Sequence, residues 1–349
     1  MQNFCFRNDW FGPHFCGQNA PVTNNSQETQ PASPASSAGV ASIACRVGFI
    51  GLGHLGAHLA ASLLRAGHQL TITDLEKTSA AALLADGAQW GEDPAQVAAA
   101  SDVVFTCLPS PAVINAVVTG PNGVLAGFAG RAGTWIDMST NDRNETLRLG
   151  ALAAEAGANM LEAPVTGGVH RAAAGQITVL VGGDESIFES HRELLGAVGN
   201  PVLYMGPLGS AALIKVITNM LAFVNLVSVG EALMLAKRGG LDLGKAFEAI
   251  KESSGNSFVH ETESQVILNG SYNINFTMDL ACKDLGFATQ FGRELGVPLD
   301  LAGLTEQTFI RARSAYGGGA WSSQVVKLLE DALGTDLRAP GFPDELPPS

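Results

Sequence analysis

Charge is scarce in this chain. Only 15% of its residues are Asp, Glu, Lys or Arg, and the net charge is −13. No segment is rich in Lys and Arg, and a nucleic-acid footprint needs such a basic patch. Nucleic acid is therefore excluded as a partner. Low charge together with 46% hydrophobic residues argues against a chain disordered throughout. The acidity favours solubility and names no substrate. Cysteine is sparse too: Cys5, Cys16, Cys45, Cys107 and Cys282. Their scatter matches no metal-ligand spacing, so no metal is expected. The odd count fits a reducing compartment. Cys107 and Cys282 lie in apolar stretches and read as core thiols. Apolar runs of membrane-span length are missing as well. The best candidate, Met220 to Val229, is interrupted by Asn225, so no membrane partner is expected.

The first 42 residues differ from the rest. Gln18 to Ser42 is rich in Ser, Pro, Asn, Gln and Ala, with Glu28 its one charge, a composition that cannot build a core. A disordered tail is expected over residues 1–44. Phe4, Phe6, Trp10, Phe11 and Phe15 precede that stretch without forming an apolar core, so the segment is no signal peptide. Arg7, its lone basic residue, makes it a poor transit peptide. The expected location is the cytoplasm, or the mitochondrial matrix in a eukaryote.

Length alone allows about two domains. From Arg46 the pattern becomes regular. Strands are predicted at Val47–Ile50, Gln69–Thr73, Asp102–Cys107, Thr134–Asp137, Asn159–Glu162, Ile177–Val181 and Val202–Met205. Helices are predicted between them at His54–Ala66, Thr78–Asp86 and Asn144–Ala156. This alternation implies a mostly parallel sheet with helices on both faces. After Gly206 the strand signals stop. Ala211–Arg238 reads as one long helix, apolar all round and hence buried. Helices follow near Asp242–Glu252, Met278–Leu295, Leu299–Ala315 and Ser322–Leu333. The expected fold is thus α/β: a Rossmann-type dinucleotide-binding domain over 45–207, an all-α domain over 208–335 and a proline-bearing tail over 336–349.

Three motifs carry chemistry. The first is Gly51-Leu52-Gly53-His54-Leu55-Gly56. In a G-x-G-x-x-G turn the first glycine permits the tight bend, the second lets the backbone approach a pyrophosphate, and the third lets helix and strand pack closely. The helix N-terminus offers free N–H groups to phosphate. The motif alone is weak, but here it follows a strand, opens a helix and precedes an acidic strand end at Asp74. Asp74 suits the adenosine ribose and repels a 2′-phosphate. Leu75 stands where an Arg would greet that phosphate, so NAD is favoured over NADP. Asp74 also fits a plain turn cap. Leu108-Pro109 and Ser139-Thr140 end later strands, where ligands bind in open α/β sheets, although Pro is also an everyday loop residue.

The second motif is Thr166-Gly167-Gly168. Its adjacent glycines can present backbone N–H groups to a carboxylate, and Thr166 can add a hydroxyl. A simple glycine turn has the same residues. The third is Lys215 with Asn219, four apart and therefore on one helix face. A lysine in an apolar helix must reach solvent or a partner. Desolvation lowers its pKa and suits it to proton transfer. Snorkelling at a surface is the bland alternative.

Taken together, these segments resemble the β-hydroxyacid dehydrogenase family, the group of 3-hydroxyisobutyrate dehydrogenase, over about residues 46–333. The resemblance rests on Gly48 to Gly56, Leu108-Pro109, Ile136 to Thr140, Ala163 to Gly168, Val181 to Glu185, Gly209 to Asn219, Ser253-Ser254-Gly255 and Lys283-Asp284-Leu285. It implies NAD-dependent oxidation of a small β-hydroxy acid, similar to 3-hydroxyisobutyrate, to its semialdehyde. A semialdehyde reductase of the tartronate type is the nearest alternative, and a non-catalytic cofactor-binding scaffold is the alternative from another class. Lys215 matches the family's catalytic lysine and Asn219 the Asn that positions the substrate oxygen. Thr166, Gly167 and Gly168 match the loop that holds the substrate carboxylate. Thr140 matches a residue near nicotinamide and substrate. Lys283, Leu108, Pro109 and Val113 match cofactor contacts. The resemblance also implies a homodimer or homotetramer. The sequence departs from the family pattern at Glu162, where Asp is usual, and at Thr166, where Ser is usual. Leu55 replaces a usual Met, Arg171 a common Gly, Thr218 a frequent Asn, and Phe258 an aromatic that is often Trp. A cation at Arg171 could read a second acidic group on the substrate, or simply face solvent or a local carboxylate.

Overall fold

The computed structural model of the chain describes residues 45–348; the tail expected over 1–44 lies outside them. Nine strands form one sheet: β1 Arg46–Ile50, β2 Gln69–Thr73, β3 Gln89–Trp90, β4 Val103–Thr106, β5 Thr134–Asp137, β6 Asn159–Glu162, β7 Val165–Thr166, β8 Thr178–Gly183 and β9 Val202–Gly206. Their order is β3-β2-β1-β4-β5-β6-β8-β7, with β9 beside β8. The first six strands run parallel in the doubly wound order. β8 runs antiparallel to β6 and β7.

Alternation along the strands produces two cores. Val47, Phe49, Phe105, Ile136 and Leu161 face one side; Ile50, Val104, Trp135 and Met160 face the other. The period of two is what a sheet covered on both faces requires. The covering helices are α1 Gly56–Arg65, α2 Ala81–Ala85, α3 Pro94–Ala100, α4 Pro111–Thr119, α5 Val124–Gly127, α6 Arg143–Glu155, α7 Gly168–Ala173 and α8 Glu185–Val198. Leu59 and Leu63 of α1 and Phe188 and Leu195 of α8 close the first core. Val97, Ile114 and Leu149, from α3, α4 and α6, close the second. In register, Ile50 pairs with Thr106, Thr106 with Asp137, and Asp137 with Glu162. The carboxyl ends are therefore level, and the chain leaves β1, β4, β5 and β6 along one sheet edge.

The second half is helical: α9 Ser210–Arg238, α10 Leu243–Lys251, α11 Phe258–Asn269, α12 Met278–Leu295, α13 Asp300–Tyr316 and α14 Lys327–Leu333. α9 is long and apolar enough by length and composition to cross a membrane, more so than the interrupted run read from the sequence. Here it is the central helix of this half. Phe223, Leu226, Leu233 and Met234 pack into a core with Met278, Leu285, Phe309 and Val326.

The helix expected over Ser322–Leu333 is split into a 3₁₀ turn, Ser322–Val326, and α14. Ser323 donates its hydroxyl to the Tyr272 carbonyl, which holds the tighter turn against the core. Residues 336–348, read from their prolines as a tail, pack along the helical half. Leu337 is fully buried, and Arg338 contacts buried Glu330 at 3.1 Å. Phe342 meets Phe247 edge-on. Proline forbids helix there but not packing.

Candidate active site

The glycine turn after β1 is built as its sequence requires. Gly51 has φ +98°, and a Cβ on it would collide with the Cys107 carbonyl. A Cβ on Gly56 would collide with the Gly51 carbonyl, so α1 can start this close to β1 only with glycine there. Gly53 differs, because an added Cβ would meet no protein atom within 4 Å. Its bare backbone faces open space, as close approach by a pyrophosphate demands. Among the described residues, the N–H groups of Gly53, His54 and Leu55 find no backbone acceptor. These features fit a dinucleotide. The Leu52 N–H is different: it donates to Asp74 Oδ2 at 2.5 Å, while the Glu76 N–H donates to Asp74 Oδ1. Asp74 thus braces the turn, and its remaining lone pairs are free for ribose hydroxyls. His54 meets Trp321 of the helical half edge-on, with ring centroids 6.0 Å apart.

The ends of β4 and β5 are tied by a buried polar chain. Trp135 Nε1 donates to Thr106 Oγ1, Thr106 donates to Asp137 Oδ1, and the Ser139 N–H donates to the same oxygen. The Leu108 N–H then donates to Ser139 Oγ at 2.9 Å. This fixes Leu108-Pro109 beside Ser139-Thr140. Burial pushes the Asp137 carboxyl up to about 6. Val113 lies in the first turn of α4, its N–H taken by Ser110 Oγ. Burial pushes the Cys107 thiol up to about 12, so it is no thiolate nucleophile.

Among the contacts that join the sheet edge to the helical half, two involve buried or charged groups near the strand ends. Glu162, at the end of β6, accepts from the N–H groups of Gly209, Ala211 and Ala212 at 2.6, 2.9 and 2.9 Å. A strand residue therefore caps α9. Burial raises the Glu162 carboxyl to about 7, against the pull of those three amide bonds. The second link is Lys283, whose Nζ donates to the Thr140 carbonyl at 2.9 Å.

Lys215 and Asn219 lie on the buried face of α9, 8% and 9% exposed. Lys215 Nζ donates to Asn219 Oδ1 at 2.9 Å, and Asn219 Nδ2 donates to Asp284 Oδ2 at 2.6 Å. This amide orientation is the one that satisfies both neighbours, since an ammonium only donates and a carboxylate only accepts. Among the described residues, the second Asn219 N–H has no acceptor. Asp284 Oδ1 lies 3.0 Å from Lys283 Nζ, a charge contact without hydrogen-bond alignment. Burial lowers the Lys215 pKa to about 8; Asp284 opposes the shift and Lys283 adds to it. A lysine so tuned can take or give a proton near neutral pH.

The structure brings Lys215, Asn219, Lys283 and Thr140 into one connected set. Asp284 completes it and was not singled out from the sequence. The signal was present: Ala281, Asp284, Leu285 and Ala288 share the buried face of α12, and a carboxylate there needs a charged partner. Glu162 showed as a departure from the family pattern, not as a cap. Thr166, Gly167 and Gly168 form the bend between β7 and α7, with Gly167 at φ +128° and Gly168 at φ +86°. Among the described residues, no hydrogen bond uses the Thr166 hydroxyl.

Two family models match the chain. One, described as the NAD binding domain of 6-phosphogluconate dehydrogenase, matches residues 46–206. The other, described as NAD-binding of NADP-dependent 3-hydroxyisobutyrate dehydrogenase, matches residues 209–329. A 2-(hydroxymethyl)glutarate dehydrogenase of Eubacterium barkeri is 38% identical over 84% of this chain and 97% of its own length. A 2-hydroxy-3-oxopropionate reductase of Escherichia coli is 32% identical over 82% of this chain and 97% of its own. The crystal structure of a 3-hydroxyisobutyrate dehydrogenase from Salmonella typhimurium aligns with a TM-score of 0.75 at 31% identity, covering 81% of this chain and 99% of that one.

Proposed function

Because this chain belongs to the β-hydroxyacid dehydrogenase family, we propose that it oxidises a small β-hydroxy carboxylic acid to the semialdehyde with Lys215 as general base. The observation that carries this reading is the buried chain Lys215–Asn219–Asp284, with the lysine held near pH 8. Lys215 Nζ takes the hydroxyl proton, and returns it in the reverse direction. Asn219 aims the amine and steadies the substrate oxygen. Thr166, Gly167 and Gly168 hold the substrate carboxylate. When bound, the nicotinamide supplies the hydride acceptor or donor. The glycine turn and Asp74 hold the dinucleotide, with Leu108, Pro109 and Val113 beside it. Thr140, kept in place by Lys283, lies where nicotinamide and substrate meet. The test is turnover of a panel of small β-hydroxy acids with NAD and with NADP. A folded protein that binds the dinucleotide but turns over none of them would instead favour a non-catalytic scaffold.

NAD is the proposed cofactor, on the strength of Asp74 and Leu75. Leu75 is almost wholly exposed and offers nothing to a phosphate. Replacing Asp74 and Leu75 by Asn and Arg removes the repulsion and adds a cation, so kcat/KM should swing toward NADP. A higher kcat/KM with NADP in the unaltered protein would contradict the assignment.

A free-amine base also sets the pH profile. Below about pH 8 the oxidation rate should fall about tenfold per pH unit, and above it should level off. Asp284 holds the Lys215 pKa up. Asp284→Asn should therefore shift this limb to lower pH, as read from kcat/KM profiles. A shift to higher pH would mean that Asp284 does not act on the base through its charge.

We also propose that a second copy of this chain covers the helical half, as a homodimer or homotetramer. Ile217 and Leu221, one turn apart on α9, are exposed, as are Leu301, Leu304 and Ile310 on α13. An apolar surface of this kind marks an interface. Light scattering measures the subunit number directly.

A further inference from the structure

The proposed dehydrogenase function accounts for one acidic group of the substrate, and the role assigned below to Arg171 rests on that function. Beside the loop assigned to that acidic group sits a cation with no stated task. The Arg171 stem lies over Gly167: a Cβ on that glycine would come within 3.0 Å of Arg171 Cδ. Its guanidinium then crosses to the helical half and lies 5.2 Å from the centre of the Phe258 ring. His170 stacks on the same ring, with planes 17° apart. The cluster therefore spans the seam between the halves, next to Thr166-Gly167-Gly168.

Arg171 forms none of the ion pairs among the described residues. Of the two plainer readings, facing solvent or pairing with a local carboxylate, the second is thus not what the described residues contain. Phe258 is half exposed, so one face of the cluster is open. The ring holds the guanidinium plane by cation–π contact and leaves its edge N–H groups unspent. Burial and the neighbouring Arg171 lower the His170 pKa, so His170 stays neutral at pH 7. One full positive charge suits one carboxylate better than a doubly charged phosphate.

We propose that Arg171 binds a second carboxylate on the substrate, making the preferred substrates β-hydroxy acids whose side arm ends in an acid group. The Thr166-Gly167-Gly168 loop takes the carboxylate next to the reacting carbon. Arg171, positioned by Gly167 and Phe258, takes the distal one through its planar fork. Arg171 is a specificity residue and takes no part in proton transfer.

The test compares 2-(hydroxymethyl)butanoate with 2-(hydroxymethyl)butanedioate, which differ in a methyl against a carboxylate. With NAD the wild-type protein should favour the dicarboxylate in kcat/KM by about ten- to a hundredfold, the range of a charge-assisted hydrogen bond. Arg171→Ala should erase that preference through KM, with kcat and melting temperature little changed. Arg171→Lys keeps the charge but loses the fork and should restore part of it. Equal losses on both acids, or a wild-type preference for the methyl-ended acid, would overturn the proposal. If the wild type turns over neither acid, the wider acid panel with both cofactors decides the dehydrogenase reading. Titration calorimetry of both acids into the NAD-loaded protein then decides Arg171 on its own. A dicarboxylate preference lost in Arg171→Ala upholds the proposal, and equal affinities reject it.

Discussion

Lys215→Ala is expected to lower kcat by at least about a hundredfold while leaving NAD affinity nearly unchanged. The two effects separate because the two jobs lie on different elements. The dinucleotide is assigned to the turn after β1 and to Asp74, whereas Lys215 sits in the second turn of α9 and contacts Asn219. Lys215→Arg should be almost as inactive. A guanidinium stays protonated at any working pH and cannot accept the hydroxyl proton. The pair of variants therefore distinguishes proton transfer from mere positive charge. Rapid turnover by a folded Lys215→Arg protein would make the role electrostatic. Near-normal kcat in Lys215→Ala would remove the lysine from the mechanism.

The largest effect on stability is expected at Glu162. The first turn of a helix leaves donors without intrahelical partners. In α9, Glu162 takes those of Gly209, Ala211 and Ala212, and the Pro207 carbonyl takes that of Ser210. Glu162→Ala strands three donors in a buried seam. At about 1 kcal/mol or more for each, the loss reaches about 3 kcal/mol, a large part of a typical total. Glu162→Gln keeps one acceptor oxygen but sets an NH₂ against one N–H, so it should fall between.

The pH dependence has a definite sign. Burial raises Glu162 from 4.5 to about 7 and Asp137 from 3.8 to about 6. The folded state then keeps protons that the unfolded chain has already released. Their contribution to stability is full below pH 4 and declines up to about pH 7. Wild-type protein should melt several degrees lower at neutral than at mildly acidic pH, and Glu162→Gln should flatten part of that fall. An Ala variant that melts with the wild type would mean that water satisfies the seam.

The dinucleotide turn was legible because its signals are local, whereas β3, β7 and the helices α3, α4, α5, α7 and α8 of the same half were not read from the sequence. A buried strand, a glycine turn and an acidic strand end lie within about thirty residues, the span of a βαβ unit. Lys215 and Asn219 were legible for the same reason, since four residues on a helix make neighbours. Asp284 was not, because its partner Asn219 is far away in sequence and meets it only when α12 packs on α9. α11 was missed altogether. Glu261 to Gln265 put a polar run in its middle, and the helix is held by tertiary burial of Val259, His260, Val266 and Ile267. His260 there contacts the Phe247 carbonyl of α10, a bond no periodicity announces. The expected helix at His54 begins two residues later, at Gly56, since the turn before it stays open.

The proposed base and the proposed specificity residue are held by different amounts of structure. Lys215 is fixed by Asn219, Asn219 by Asp284, and the start of their helix by Glu162 from the sheet. A change at any of these must be matched on another element. Arg171 rests on one ring and one glycine. Laboratory evolution toward a new acid should therefore accumulate substitutions at Thr166, His170, Arg171 and Phe258. Its products should keep the parent's pH profile, because the proposed base and its neighbours are inherited untouched.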